Sequence, residues 1–197
     1  MSCETELKYQ MPETLQVEEV WAHIGRAYSE KILMKSTYFD TKNNLLGFIK
    51  ASLRHRMEND VSVYTVKTTM SKSGALASRG EWQVEALTLN EALPKLSAIG
   101  APEDVLTLAK EELKTIAEFE FTRHSGIIEG DGFKADLCVD IGYLSPDGIK
   151  KAPLREVELE LLDGDVDALC AYGEKFAKAL NLTPQSLSKL SRARNLK

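Results

Sequence analysis

The sequence predicts an α+β fold in which an antiparallel β-sheet closes into a barrel and helices pack on its outer face. Two observations support this prediction. At least five extended segments alternate charged and apolar side chains, the pattern of strands with one polar and one apolar face. Amphipathic helical segments lie between and after them, so the helices are expected to cover the apolar face and leave the charged face inside.

The first half of the chain is predicted to form a strand, a helix and then four further strands. ETELK, at residues 4–8, has charged residues at every second position. PETLQVEEVWAHIGR carries apolar residues at i, i+3, i+4 and i+7 from Val17, as in an amphipathic helix. The extended segments that follow are KSTYFDT, KASLRHRM, VSVYTVKTT and SRGEWQVEALTL, with a short turn at NNLLGF. MSKSGALAS lacks their alternation and is expected to be a mobile loop.

The second half is predicted to form two short helices, three strands and two more helices. NEALPKL and EDVLTLAKEEL give helical turns, and Pro94 is expected to interrupt the first. AEFEFTRHSGIIEGD and GFKADLCVDIGYL are strands joined by a glycine-rich turn, and LREVELELLDGD is a strand after the hairpin loop SPDGIKK. DVDALCAYGEKFAKALN is an amphipathic helix. The last helix is expected to have Thr183 as its cap and Pro184 at its first position.

Composition and charge narrow the class of protein. The 197 residues are 43% hydrophobic and 28% charged, which is typical of a globular protein, and we predict one domain over residues 1–197. The net charge of −5 argues against binding to nucleic acid or an anionic membrane through a general positive field. The sequence shows no membrane-spanning apolar run and no signal peptide, and Cys3, Cys138 and Cys170 lack metal-ligand spacing. These features favour a cytoplasmic protein.

The charged faces of the strands combine acidic and basic residues. Their members are Glu4, Glu6, Lys8, Arg54, Arg56, Lys67, Arg79, Glu81, Glu85, Asp136, Asp140, Glu156, Glu158 and Glu160. Such alternation ordinarily indicates a sheet with its polar face in water. A closed lumen is favoured here because helices can cover the apolar faces and because three glutamates in a row have no use on an exposed strand. Such a lumen would bind a polyanion together with metal ions.

The residue types indicate how a triphosphate would be bound. Basic side chains can hold its oxygens, the arginines bidentately: Lys8, Arg54, Arg56 and Lys67. Carboxylates would repel it unless they bind hard cations such as Mg²⁺ or Mn²⁺, and four are candidates: Glu4, Glu6, Glu158 and Glu160. A bound metal polarises a phosphoryl group and lowers the pKa of bound water. Without a cation these glutamates are expected to repel one another, and burial with repulsion would raise some of their pKa values.

Seven short segments, in order, resemble a known family. ETELK matches the ExExK signature of the CYTH superfamily, the triphosphate tunnel metalloenzymes, and STYFDT, LRHR, VKTT, RGEWQVE, REVELELLDGD and SLSKLSR follow in the family's order. The resemblance covers about residues 2 to 196 and is greatest to bacterial inorganic triphosphatases. It implies a closed, eight-stranded antiparallel β-barrel, the triphosphate tunnel, with helices packed outside.

The resemblance also implies roles for individual residues. The metal ligands it implies are Glu4, Glu6, Glu158 and Glu160, with Asp140 and Glu156 close by. The substrate contacts it implies are Lys8, Arg54, Arg56, Lys67 and Arg79, with Lys189 offered by the C-terminal helix at a tunnel mouth. Arg123 alternates with Phe119 and Phe121 and is expected to reach the lumen only through a bulge or strand end. Internal ion pairs without ligand contact are the alternative for Arg123, Glu81, Glu85 and Asp136.

Several activities occur among the proteins that the sequence resembles. The expected function is metal-dependent hydrolysis of inorganic triphosphate to pyrophosphate and phosphate, with Mg²⁺ or Mn²⁺ as cofactor. The expected catalytic residues are Glu4, Glu6, Lys8, Arg56, Lys67, Glu158 and Glu160. The alternatives are a class IV adenylyl cyclase, a thiamine triphosphatase and, less favoured, a non-catalytic module that binds polyphosphate or nucleotides. The expected partner is a small-molecule triphosphate rather than nucleic acid or membrane, and the protein is expected to be a monomer or homodimer.

Overall fold

The computed structural model describes residues 2–146, 148 and 151–196, apart from the side chains of residues 2, 3 and 69–73. The strands are β1 Ser2–Gln10, β2 Glu30–Thr41, β3 Ala51–Glu58, β4 Val61–Ser73, β5 Leu76–Glu85, β6 Leu113–Gly130, β7 Phe133–Ser145, β8 Ala152–Gly164 and β9 Thr183–Pro184. The helices are α1 Val17–His23, α2 Leu45–Phe48, α3 Leu89–Ala98, α4 Glu103–Leu108, α5 Val166–Ala179 and α6 Lys189–Arg194. None of these helices combines the length and apolar character that crossing a membrane requires.

Eight antiparallel strands close into a barrel, as the sequence predicts. Their order is β5-β4-β3-β2-β6-β7-β8-β1, and pairing of β1 with β5 completes the circle. The register places Glu4 opposite Arg79 and Lys8 opposite Glu158. The short β9 pairs with β1 outside this circle. Strand pairing therefore brings acidic and basic side chains of distant segments into one interior.

Helices cover the apolar outer face in two places. Val20 and Trp21 of α1, with Leu169 and Phe176 of α5, belong to the cluster that covers β1, β7 and β8. Helices α2, α3 and α4 pack over β3, β4 and β5 around residues such as Leu53. Because these helices bury the apolar side of the strands, the opposite side faces the barrel interior.

A third apolar cluster lies on the interior face of the strands. Tyr38, Phe119 and Phe121 belong to it and also line the barrel cavity. Leu190 and Ala193 of α6 pack against the same cluster. The C-terminal helix is therefore seated on the interior face, where it brings its first residue to the lumen.

Two predictions, one about a loop and one about a helix, are wrong. The segment MSKSGALAS is not a loop, because β4 and β5 continue pairing up to Ser73 and Leu76, with Gly74 in the turn at φ +58°. Helix α3 continues through Pro94, since Ala92 and Leu96 anchor it in the core. Packing thus outweighs the backbone hydrogen bond lost at Pro94.

The start of the last helix also differs from the prediction. Thr183 and Pro184 pair with β1 as β9 instead of capping a helix. Helix α6 begins at Lys189, where the side chain of Ser188 accepts a hydrogen bond of 3.1 Å from Ser191 N. The predicted hairpin loop SPDGIKK includes residues 147, 149 and 150, which lie outside the described part of the chain.

Candidate active site

The barrel encloses a cavity of about 870 Å³ that is lined by more basic than acidic side chains. The basic residues are Lys8, Lys50, Arg54, Arg56, Lys67, Arg79, Arg123, Lys189 and Arg194. The acidic residues are Glu4, Glu6, Glu81, Glu158 and Glu160. The carboxylates come from β1, β5 and β8, whereas β3 and β6 contribute only basic charges. The cavity can therefore receive an anion on one wall and a cation on another.

The two glutamates of ETELK face a basic pair, Lys67 of β4 and Arg79 of β5. Glu4 accepts hydrogen bonds from Lys67 Nζ, at 3.0 Å, and from Arg79 Nε, at 2.6 Å. Burial raises the pKa of Glu4, but Lys67 and Arg79 outweigh that effect and hold it below its usual range. Glu6, only 2% exposed, forms an ion pair with Arg79 and lies 3.5 Å from Lys8 Nζ. Both glutamates belong to a buried network of ion pairs.

A second group of carboxylates surrounds Lys189. Oxygen atoms of Asp140, Glu156 and Glu158 all lie within 4.8 Å of one another. Lys189 Nζ lies 2.7 Å from Glu158 Oε1 and 3.0 Å from Asp140 Oδ2, and it also forms an ion pair with Glu156. Arg192 Nη2 lies 3.2 Å from Glu156 Oε2. Helix α6 thus brings two cations to the acidic group.

Ion pairing determines the charge of these carboxyl groups. Burial raises the pKa of Glu158, yet Lys189 and Arg123 reverse the effect and hold it well below its usual value. For Glu156, burial and the neighbouring Glu158 raise the pKa despite Lys189. Burial lowers the pKa of Lys189, but the surrounding carboxylates raise it by more. Lys189 is therefore an ammonium ion held inside the barrel.

Arg123 lies in the lumen without a bulge, which corrects the prediction. Its Nε donates to Asp140 Oδ1 at 2.8 Å, and its Nη2 donates to Asp140 Oδ2 at 2.7 Å and Glu158 Oε2 at 2.6 Å. The strand register is regular at Arg123, and Phe119 and Phe121 line the same cavity. The prediction that Arg123 shares a strand face with Phe119 and Phe121 is confirmed. That face is the inner one, because the lumen has an apolar section.

Glu160 differs from the other glutamates of the cavity. Among the described residues it has no hydrogen bond or ion pair, although it lines the cavity. Burial, with the nearby charge of Glu4, raises its pKa to about 7. The expectation that some of these glutamates have raised pKa values is therefore met at Glu160, whereas ion pairs lower the pKa values of Glu4 and Glu158.

Arg54 and Arg56 of β3 form a basic side of the cavity, each with one carboxylate nearby. Arg54 Nη2 donates to Thr65 Oγ1 at 3.0 Å and lies 3.8 Å from Glu81. Arg56 pairs with Glu58, yet burial and the charges of Arg54 and Arg123 lower its pKa to about 10. Burial likewise lowers the pKa of Lys8, which lies on β1. The basic side is suited to bind an anion, which would relieve the crowding of positive charges.

Three further acidic residues that the sequence places on charged strand faces lie in different surroundings. Glu81 lines the cavity and lies 3.0 Å from Lys67 Nζ, so it is an internal ion-pair partner. Asp136 accepts a hydrogen bond from Cys138 Sγ at 3.4 Å, and burial raises its pKa. Glu85 is exposed and lines a separate hollow of about 660 Å³.

A model of the CYTH domain family matches residues 2–193. The chain belongs to the CYTH family. An inorganic triphosphatase of Haemophilus influenzae is 24% identical over 163 residues, which are 83% of this chain and 46% of the relative. The CYTH chain thus spans about half the length of the curated relative that it matches.

Solved structures share the fold of the CYTH chain. A protein from Hippeastrum, described as a candidate adenylyl cyclase that reveals a dominant triphosphatase activity, aligns with TM-score 0.72 and 19% identity over 98% of this chain and 96% of its own. A candidate adenylate cyclase from Bacillus halodurans aligns with TM-score 0.60 and 18% identity over 95% and 96% of the two chains. A protein from Pyrococcus horikoshii aligns with TM-score 0.57 and 19% identity over 98% and 99%. At these identities the likeness establishes the fold.

Sequence reasoning missed part of the lumen of the CYTH barrel. The sequence-based prediction put Phe119 and Phe121 on the face opposite the charges. Their alternation with Arg123 was the signal that all three share one face, which lines the cavity. Arg192, three residues after Lys189, shares its helix face and could have been found from that spacing. Arg194 reaches buried Asp40 at 3.1 Å, and nothing in the local sequence indicates this contact.

Proposed function

We propose that this CYTH barrel hydrolyses a triphosphate in a metal-dependent reaction, with inorganic triphosphate giving pyrophosphate and phosphate. The observation that carries the proposal is the charge of the enclosed cavity, where nine basic side chains and five acidic ones converge. Lysines and arginines outnumber carboxylates among the residues that line the cavity, which favours an anionic ligand. A triphosphate supplies several closely spaced negative charges, which suits basic residues on several strands.

The basic wall supports a role in holding the phosphate groups. Arg54, Arg56 and Arg123 provide planar guanidinium groups that can bind phosphate oxygens bidentately. Lys8, Lys67, Arg79 and Lys189 provide further charge around them. Because phosphoryl transfer depends mainly on positioning and on neutralising charge, this arrangement supports catalysis as well as binding.

The acidic residues fit a hard divalent cation by the chemistry of their donor atoms. All are carboxylates, the ligand type that Mg²⁺ and Mn²⁺ prefer, and Glu160 has no partner among the described residues. The residues that would hold the metal are Glu4, Glu6, Glu158 and Glu160, with Asp140 and Glu156. A bound cation would supply charge neutralisation at the phosphoryl group and a more acidic water molecule.

The relatives support the hydrolase rather than the cyclase alternative. The curated relative from Haemophilus influenzae is an inorganic triphosphatase, and the Hippeastrum protein is described as having a dominant triphosphatase activity. The carboxylates of the lumen also argue against a module that only binds anions. Five of them line the cavity, and they would weaken the binding of a polyanion unless a divalent cation also binds.

A panel of substrates with product identification tests the proposal. Inorganic triphosphate, ATP and thiamine triphosphate are incubated separately with the protein and Mg²⁺ or Mn²⁺. We expect inorganic triphosphate to be hydrolysed fastest, and ATP to give no cyclic AMP. Cyclic AMP as the main product from ATP would contradict the proposal in favour of a cyclase, and faster use of thiamine triphosphate would change the substrate.

A further inference from the structure

An aromatic ring lies among the charges of the candidate site. Phe121, on the interior face of β6, is 5% exposed and lines the cavity. Its ring centroid is 5.6 Å from Lys189 Nζ and 6.0 Å from Arg123 Cζ. At these distances the negative face of an aromatic ring attracts a cation. Two cations from different elements, α6 and β6, therefore meet at one ring.

The same two cations share two carboxylates. Arg123 Nη2 lies 2.7 Å from Asp140 Oδ2 and 2.6 Å from Glu158 Oε2. Lys189 Nζ lies 3.0 Å from Asp140 Oδ2 and 2.7 Å from Glu158 Oε1. Since Lys189 and Arg123 repel each other, something must hold both in place. Two carboxylates do so in part, and the ring adds attraction without adding a negative charge.

We propose that Phe121 is a positioning residue that holds Lys189 and Arg123 ready for the triphosphate. The inference rests on the proposed function, in which these two cations contact phosphate oxygens. A carboxylate in place of the ring would also hold both cations, but it would repel a polyanion strongly in a buried site. The neutral ring avoids that repulsion and keeps the positive charges available to the ligand.

The test changes the electronic character of the ring and leaves its shape nearly the same. Phe121 is replaced by phenylalanine carrying one, two or three fluorine atoms, which successively weaken the negative face of the ring. Affinity for inorganic triphosphate is measured by calorimetry with a chelator present, and KM and kcat are measured with Mg²⁺. The matched control is the same series at Phe133, a similarly buried ring of the outer apolar cluster whose described ring contact is with Tyr172, at 5.0 Å.

We expect affinity to fall stepwise along the Phe121 series, reaching about fivefold with three fluorine atoms. KM should rise in parallel while kcat changes less than about twofold. The Phe133 series should leave affinity unchanged, because this ring lies outside the cavity. Equal affinity across the Phe121 series, or an equal decline in both series, would overturn the role of Phe121 while leaving the proposed function intact. If wild type neither binds nor hydrolyses triphosphate, the proposed function fails, and the role of Phe121 fails with it.

Discussion

Lys189 Nζ and Glu158 Oε1 lie 2.7 Å apart inside the barrel, although 31 residues separate them in the chain. The same ammonium reaches Asp140 and Glu156, so it stands where three carboxylates converge. This relationship ties the C-terminal helix to the wall formed by β7 and β8. Any cation that joins these carboxylates has to share them with Lys189.

Replacing Lys189 with Met should destabilise the metal-free protein. Breaking a buried ion-pair network leaves carboxylates uncompensated, at a cost of about 3 kcal/mol in the free energy of unfolding. For a chain of this length the melting temperature should fall by about 6–12 °C. Because a divalent cation can replace the lost charge, Mn²⁺ should raise the melting temperature of the variant more than that of wild type. Equal melting of the two proteins in chelator would contradict this assignment.

Replacing Glu160 with Gln should stabilise the metal-free protein at alkaline pH. The folded-state pKa of Glu160 is raised from 4.5 to about 7, so wild type loses stability as pH rises between these values. The amide side chain of the variant does not ionise, so Glu160→Gln should gain about 1–3 kcal/mol over wild type above about pH 7 and almost nothing below about pH 4.5. Denaturant unfolding in chelator at several pH values measures the difference. A difference that does not grow with pH would contradict the prediction.

Glu158 provides the matched control, because it lies two residues from Glu160 on the same face of β8. Lys189 and Arg123 hold its pKa well below the usual range despite burial, so its carboxylate stabilises the fold at neutral pH. Glu158→Gln should therefore lower the free energy of unfolding where Glu160→Gln raises it. Stabilisation by both substitutions would mean that the ion pairs of Glu158 contribute little.

Arg56→Ala should reduce activity without reducing stability. Burial and the charges of Arg54 and Arg123 lower the pKa of Arg56 to about 10, so removing it relieves repulsion in the metal-free protein. We expect kcat/KM for inorganic triphosphate to fall at least about tenfold, with the free energy of unfolding within about 1 kcal/mol of wild type.

Arg123→Ala is the comparison for Arg56→Ala. Arg123 neutralises Asp140 and Glu158 through three hydrogen bonds, so its loss should cost about 3 kcal/mol of stability as well as activity. Steady-state kinetics and denaturant unfolding of both variants separate the two roles. Wild-type kcat/KM in Arg56→Ala would exclude Arg56 from the phosphate site.

Local alternation predicted which side chains share a strand face, whereas the amphipathic helices and the family resemblance were needed to predict a closed barrel with the charges inside. In ETELK and LREVELELL the side chains that share a face follow from strand geometry alone, which acts between neighbouring residues. The β4–β5 hairpin could not be predicted in this way. Its backbone pairing from Thr69 to Ser73 depends on β5 lying opposite, and the segment itself has no apolar alternation.

The charge states of the glutamates depend on contacts across the barrel. Glu4 is paired because strand order places Arg79 opposite it, and Glu158 is paired because α6 delivers Lys189. Glu160 belongs to the same alternating run but receives no such partner among the described residues. The sequence pattern is the same for Glu158 and Glu160, so only the tertiary structure distinguishes a paired carboxylate from an unpaired one.

Phosphate release from inorganic triphosphate, measured on one preparation before and after removal of divalent cations, tests whether the basic residues and the carboxylates act together through a metal ion. We expect no hydrolysis in chelator, and full recovery on adding Mg²⁺ or Mn²⁺, with pyrophosphate and phosphate formed in equal amounts. Hydrolysis that continues unchanged in chelator, or no hydrolysis with either cation, would contradict this joint action.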